Sequence, residues 1–178
     1  MEGDFKMAET KGTYMDVIFS ENSNKKLDDI IKSFGLKKDF TDAYHTTITY
    51  SKKPVPYLKT SKGTKQVKGT AKNKLSKRIK IKSFGHFKTD EGKNLHVVLE
   101  CKFCQEQFAK AIKLGATTDY PEYTSHITLM YDCGDFTVDD EIGAPYIGET
   151  LEIVEERISP LNLNWVEDSK KDKDKESK

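Results

Sequence analysis

Two segments of the chain, residues 44–50 and 124–131, have patterns typical of β-strands, and in the second the apolar residues Ile127 and Leu129 alternate with polar ones. Each segment carries a histidine followed two residues later by a threonine. The pairs are His45 with Thr47 and His126 with Thr128. Because every second side chain of a strand lies on the same face, each histidine is expected beside its threonine, with apolar residues on the opposite face.

A strand and a helix are predicted ahead of the first motif. The pattern favours a strand over residues 13–19, followed by a helix that Asn22 or Ser23 can cap and that Gly35 can end. The apolar positions of this helix, at helical spacing, are Leu27, Ile30, Ile31 and Phe34.

The second motif is preceded by the same order of elements. A strand over residues 95–101 leads into a helix over residues 103–114, and Gly115 can end that helix. Its predicted buried residues are Cys104, Phe108, Ala111 and Ile112. The histidine follows the glycine by ten residues in the first half and by eleven in the second, so the chain is expected to form two related lobes.

The remaining pattern adds two strands, over residues 77–87 and 150–158, a turn at residues 90–92 and an irregular continuation over residues 159–165. Strands and helices in this mixture predict an α+β protein. The expected organisation is a flexible start over residues 1–10, one domain over residues 11–168 and a disordered charged tail over residues 169–178.

Composition limits the class of protein. The chain has 178 residues, 35% of them hydrophobic, which is enough for one good core. No apolar run approaches the roughly twenty residues that a membrane-spanning helix needs, and the polar start lacks the apolar region of a secretory signal. Three cysteines, an odd number, favour reduced thiols in a cytosol.

A net charge of +1 hides a strong asymmetry. Residues 52–89 contain thirteen lysines and arginines and no acidic residue, whereas residues 115–168 contain thirteen acidic residues and one base, Arg157. The basic segment can be a solvated, flexible loop, or it can be a surface that attracts polyanions such as RNA.

A single His-x-Thr motif can be an ordinary strand surface, but two of them facing each other across a cleft can form a phosphodiester site. One imidazole would accept a proton, the other would donate one, and the two threonine hydroxyls would bind phosphate oxygens. This chemistry needs no metal or other cofactor, and no cluster of metal ligands is visible in the sequence.

Other candidate sites are weaker. Cys101 and Cys104 lie where a strand passes into a helix, as redox pairs do, but the helix pattern buries Cys104 and favours structural thiols. His86 and His96 lack the following threonine and are interpreted as ordinary strand residues. Tyr14 lies opposite the apolar face of the first strand, and Trp165 is the single tryptophan; each can be a packing residue or a platform on which a nucleobase stacks.

The paired motifs resemble those of the 2H phosphoesterase family, which is named for its two His-x-Ser/Thr motifs. The resemblance implies a bilobal sheet with the histidines facing each other in a central groove. Within that group the chain is most similar to phage anti-CBASS nucleases, which degrade cyclic oligonucleotide signals. The segments that carry this similarity are Gly12-Thr13-Tyr14, His45-Thr46-Thr47-Ile48, His126-Ile127-Thr128-Leu129 and the closing stretch from Pro160 to Trp165.

The resemblance implies the roles of individual residues. His45, Thr47, His126 and Thr128 would be catalytic, and Tyr14 and Trp165 would hold nucleobases. The family also uses an acidic residue in its closing segment, where Glu155 and Glu156 are the nearest acids here; Glu156 is assigned to substrate binding.

The function that this resemblance implies is cleavage of a cyclic di- or trinucleotide, such as cyclic GMP-AMP, in the cytoplasm of an infected bacterium. Two alternatives stay open. One is a 2H enzyme that processes RNA ends, acting on 2′,3′-cyclic phosphates or 2′,5′ linkages. The other is a non-catalytic module that binds RNA or nucleotides through the basic segment.

Overall fold

Strands and short helices alternate along the chain, as the pattern predicts. The computed structural model describes residues 11–63, 69–119 and 122–162. The strands are β1 (Lys11–Phe19), β2 (His45–Ser51), β3 (Ala71–Gly85), β4 (Lys88–Thr89), β5 (Gly92–Lys93), β6 (Leu95–Glu100), β7 (His126–Met130) and β8 (Thr150–Asn162). The helices are α1 (Glu21–Ser33), α2 (Lys102–Lys113) and α3 (Asp140–Gly143), and a 3₁₀ turn spans Ala144–Tyr146.

These elements confirm the α+β class. The expectations for residues 1–10, Trp165 and residues 169–178 lie outside the described residues. None of the helices in the described ranges is both long and apolar enough to cross a lipid bilayer.

Six strands form one antiparallel sheet in the order β2-β1-β8-β3-β6-β7, and β4 and β5 form a separate hairpin. The order is symmetric about the β8–β3 pair. The unit β1–α1–β2 supplies one end of the sheet, and the unit β6–α2–β7 supplies the other, so the predicted repeat of strand, helix and His-x-Thr strand is present. The two motif strands are the opposite edges of this sheet, yet they contact each other, which means that the sheet curves strongly.

The residue that caps helix α1 lies two or three positions before the predicted caps. Ser20, rather than Asn22 or Ser23, caps it: the Ser20 hydroxyl accepts a hydrogen bond from the Ser23 backbone N–H at 3.1 Å. Ser23 is instead inside the helix and buried. Gly35 has φ of 75° and ends the helical path as predicted.

Helix α2 buries most of the predicted face. Cys104 and Ala111 are buried and Phe108 is partly buried against the core, as predicted, and Gln107 is buried with them. Ile112 is exposed, contrary to expectation. Position 112 is rotated by about 100° from position 111, so it falls at the edge of this face. The Cys101 sulfur accepts a hydrogen bond from the Cys104 N–H and caps the helix, which gives this thiol a structural role.

Strand β3 starts six residues before the predicted strand and places much of the basic segment in the sheet. Ala71 and Asn73 are buried and alternate with exposed Lys72 and Lys74. The apolar alternation of this stretch comes later, at Ile79 and Ile81. A prediction based on hydrophobic pattern therefore misses the first part of the strand. The predicted strand is thus confirmed over residues 77–85, and the interpretation as a flexible loop is wrong for residues 71–76.

Substituting alanine for Gly12 should destabilise the edge of the sheet. A Cβ atom at this position would lie 1.9 Å from the Ser51 carbonyl oxygen, which belongs to the backbone of β2. The strands would have to separate, and we expect a loss of about 1 to 3 kcal/mol in the free energy of unfolding, measured with urea. Lys74→Ala, at an exposed position of β3, is the control. An unchanged urea midpoint in Gly12→Ala would contradict the close approach of β1 and β2.

Candidate active site

The two His-x-Thr motifs lie on β2 and β7, at the edges of the sheet that meet. All four side chains are half-buried, whereas the residues between them, such as Thr46 and Ile127, are fully buried on the opposite face. The predicted alternation is thus present in both strands. The two strands contact each other, and the neighbouring His45 contributes to lowering the pKa of His126, so the two imidazoles lie on facing strands.

Reciprocal loop contacts hold β2 and β7 together. The Tyr123 hydroxyl, in the loop before β7, donates a hydrogen bond to the Thr47 carbonyl of β2 at 2.8 Å. In the opposite sense, the Asp39 carboxylate, in the loop before β2, accepts bonds from the backbone N–H groups of Tyr131 and Asp132 just after β7, at 2.9 and 3.0 Å. Each half of the chain therefore positions the motif strand of the other half.

Tyr14 joins the first motif directly. Its hydroxyl lies 2.9 Å from the Thr47 hydroxyl oxygen, and the two groups share a hydrogen bond. Burial raises the pKa of Tyr14 well above its usual range, and the negative charge of Asp16 raises it further. The phenol stays protonated at neutral pH, so it can orient the Thr47 hydroxyl. The structure thus brings Tyr14 together with the first His-x-Thr pair.

His126 is held in one orientation. Its Nδ1 donates a hydrogen bond to the Thr124 carbonyl at 3.0 Å, which leaves Nε2 as the free nitrogen. Burial lowers the pKa of His126, and the charge of His45 lowers it further, while the bond to Thr124 acts in the opposite direction. The balance favours a neutral imidazole.

Two aromatic rings next to His126 are absent from the predicted site. His96 is the cross-strand partner of Thr128, and its ring centre lies 5.3 Å from that of His126. Phe87 stacks on His96 at 4.1 Å and meets His126 edge-on at 5.5 Å. Phe87 is 44% exposed, so this part of the site presents an aromatic surface. His96 is a strand residue, as predicted, and it also contacts His126.

Asn94 forms hydrogen bonds with both His96 and Phe87. Its side-chain oxygen accepts hydrogen bonds from His96 Nδ1 at 3.1 Å and from the Phe87 N–H at 2.7 Å. Burial lowers the pKa of His96 to about 4, and the nearby charges of His126 and His86 contribute in the same direction. One signal in the sequence pointed to this arrangement: His96 is a polar residue on the face of β6 opposite Leu95 and Val97.

Glu156 does not join the site. Strand register pairs Glu156 with buried Val17, on the face opposite that of Tyr14. Its carboxylate is fully buried and accepts hydrogen bonds from the Ser61 N–H at 2.9 Å, the Ser61 hydroxyl at 2.5 Å and the Asn73 amide at 2.6 Å. A one-residue step along a strand changes the face, so Glu156 lies apart from Tyr14 and Thr47, and its assignment to substrate binding stays a prediction.

Among the described residues, no three His, Cys, Asp or Glu side chains are grouped so that they could hold a metal ion. The three cysteines are free thiols and all are buried. Trp165 was predicted to hold a nucleobase, but it lies outside the described residues.

The family model and the similar proteins found by comparison carry the same family description. A family model described as anti-CBASS protein Acb1 matches residues 11–168. A protein named anti-CBASS protein Acb1 from Vibrio phage KVP40 is 31% identical over 90% of this chain and 95% of its own length. Proteins of the same name from Enterobacteria phage T4 and Acinetobacter phage Ac42 are each 30% identical, over 89% and 87% of this chain and 94% of their own lengths.

His96 should make the fold sensitive to mild acid. In the unfolded chain its pKa is near 6.5, whereas the folded state resists protonation down to about 4. Its contribution to stability is complete above pH 6.5 and is lost as the pH falls towards 4, by on the order of 3 kcal/mol. His96→Gln should reduce the difference in free energy of unfolding between pH 7 and pH 4.5, measured with urea at both values. If the free energy of unfolding changed equally between pH 7 and pH 4.5 in both proteins, His96 would not be the cause of the acid sensitivity.

Glu156→Gln should lower stability and spare substrate binding. The amide would present N–H groups to the donors of Ser61 and Asn73, and hydrogen bonds to a charged group are worth about 1.5 to 3 kcal/mol. We expect a loss of that size in the free energy of unfolding. The KM of the folded variant should stay within about twofold of the parent protein. A tenfold rise in KM without any loss of stability would restore Glu156 as a substrate-binding residue.

Proposed function

We propose a function from the premise that the chain belongs to the anti-CBASS protein Acb1 family. The protein is a phosphodiesterase that cleaves the 3′,5′ linkages of cyclic di- or trinucleotide signals such as cyclic GMP-AMP. It acts in the cytoplasm of an infected bacterium, where loss of the signal lets a phage evade CBASS defence. We also propose that the chain is a bilobal member of the 2H phosphoesterase group.

The observation that carries this proposal is the meeting of the two His-x-Thr strands. Two imidazoles and two hydroxyls, on edge strands that contact each other, provide a base, an acid and donors to phosphate oxygens. These groups supply proton transfer and charge stabilisation without a metal ion. The proposed reaction is therefore metal-independent.

His126 is the proposed base. Its free Nε2 and its lowered pKa suit a group that must be neutral when substrate binds. It takes a proton from the ribose 2′-OH or from water, the resulting nucleophile attacks phosphorus, and the bond to the 5′ oxygen breaks. His45 gives a proton to that leaving oxygen, and Thr47 and Thr128 donate hydrogen bonds to the phosphate.

Aromatic side chains are proposed to hold the bases. The Tyr14 hydroxyl is fixed on Thr47, so its ring lies beside the phosphate position. Trp165 supplies the second platform in this proposal. Stacking of a base on an aromatic ring contributes about 1 to 3 kcal/mol and tolerates different bases, which suits signals that differ in their bases.

A panel of cyclic di- and trinucleotides, incubated in EDTA and followed by chromatography of the products, tests this function. Cleavage should persist in EDTA. His45→Ala and His126→Ala should each lower kcat by about 10² to 10⁴, while the dissociation constant changes little. Tyr57→Ala, an exposed aromatic next to the C-terminal end of α2, is the matched control and should cleave normally.

Three outcomes would count against this function. Cleavage of 2′,3′-cyclic RNA ends but of no cyclic oligonucleotide would favour RNA processing. Full activity in His45→Ala would remove the mechanism with two histidines. Restoration of EDTA-inhibited turnover by a divalent ion would show that the reaction requires a metal.

A further inference from the structure

A row of charged residues crosses the sheet next to the first motif. Strand register pairs Thr47 with Asp16, Asp16 with Arg157, and Arg157 with Lys72. Directly paired residues of neighbouring strands project from the same face. The side chains of Asp16, Arg157 and Lys72 therefore lie on the face that carries the His-x-Thr motif.

Arg157 is fixed by a two-pronged ion pair. Its Nε donates to one Asp16 oxygen at 2.8 Å, and one terminal nitrogen, Nη2, donates to the other at 2.6 Å. Asp16 is 2% exposed, while the Arg157 side chain is 35% exposed. This pairing occupies one edge of the guanidinium and leaves Nη1 on the other side, directed away from Asp16. A guanidinium held in this way is prepared to donate to an anion.

Lys72 supplies a second cation on the adjacent strand, as the cross-strand partner of Arg157. Asp16 is ion-paired with Arg157, and Glu155, the cross-strand partner of Lys74, also acts electrostatically on Arg157. Lys72 itself is exposed. An anion bound at Arg157 would therefore be within reach of a second basic side chain.

The position of this pair separates it from the proposed site of cleavage. Neighbouring strands are about 4.8 Å apart, so Arg157 lies about 10 Å from Thr47 along the row, and its side chain reaches back over Asp16. A phosphate held here is thus distinct from the one at the two threonines, yet close enough to belong to the same small ligand.

We propose that Arg157 and Lys72 bind a second phosphate of the substrate, the one that is not being cleaved. The proposal rests on the function proposed above, because a cyclic oligonucleotide carries at least two phosphates in one ring. It gives the site a means to prefer such rings over ligands with a single phosphodiester. The ligand class recognised by this subsite is a ring of nucleotides with two or more phosphates.

The test compares two ligands on a protein that cannot cleave them. In a His45→Ala, His126→Ala background, calorimetry measures the dissociation constants of cyclic GMP-AMP and of a linear guanylyl-adenosine with one phosphodiester. Asp16→Asn with Arg157→Gln removes the cation without leaving Asp16 as an unpaired buried charge. Lys72→Gln leaves the ion pair intact and tests the exposed cation alone.

Cyclic GMP-AMP should bind the Asp16→Asn, Arg157→Gln protein about tenfold to 150-fold more weakly, the loss expected for hydrogen bonds to a charged group. Lys72→Gln should weaken it by about twofold to fivefold. Binding of the linear dinucleotide should change by less than twofold. Lys77→Gln is the matched control, since Lys77 is a lysine of the same strand that lies over the Phe103 ring of α2. Thermal midpoints confirm that each variant is folded.

The outcomes separate this proposal from the proposed function. Equal losses for both ligands, or no loss for either, would overturn the second phosphate site even if the intact protein cleaves cyclic GMP-AMP. Selective loss for the cyclic ligand would support the site even if the intact protein cleaves nothing, in which case the proposed hydrolysis fails. Absence of binding to cyclic GMP-AMP and every other cyclic oligonucleotide would overturn both.

Discussion

The candidate site depends on the contact between β2 and β7. Both are edge strands of the six-stranded sheet, and the edge of a sheet exposes backbone groups that need partners. Tyr123 donates a hydrogen bond to the Thr47 carbonyl, and Asp39 accepts hydrogen bonds from the backbone N–H groups just after β7. Each loop therefore covers the edge formed by the other half of the chain. The same bonds set the separation of the two histidines. A change in either loop would therefore alter the relative position of the two histidines.

The two halves of the site are related in order but differ in chemistry. The cross-strand partner of Thr47 is Asp16, and the cross-strand partner of Thr128 is His96. Asp16 is ion-paired with Arg157, while His96 is bonded to Asn94 and resists protonation. Equivalent positions thus provide a charged environment in one half and a neutral one in the other. In the proposed reaction, this difference supports different roles for the two histidines.

Local pattern predicted much of this structure. Alternation identified the motif strands, and helical spacing with terminal glycines identified α1 and α2, since these features are properties of neighbouring residues. Strand pairing is not such a property. The partnership of His96 with Thr128 and the burial of Glu156 on the opposite face follow from register, which a sequence leaves open. Glu156 lies close in sequence to the closing segment, but a step of one residue decides which face a strand residue occupies.

The distribution of charge suits a reaction in which an anion binds next to a neutral base. A bound phosphate would stabilise the protonated form of a nearby imidazole and so weaken it as a base. Burial and the neighbouring His45 lower the pKa of His126, and the rings of Phe87 and His96 pack beside it. Arg157 and Lys72 lie on strands away from His126, in the row that begins at Thr47. In the proposed reaction, the second phosphate and the proposed base therefore lie in different parts of the sheet.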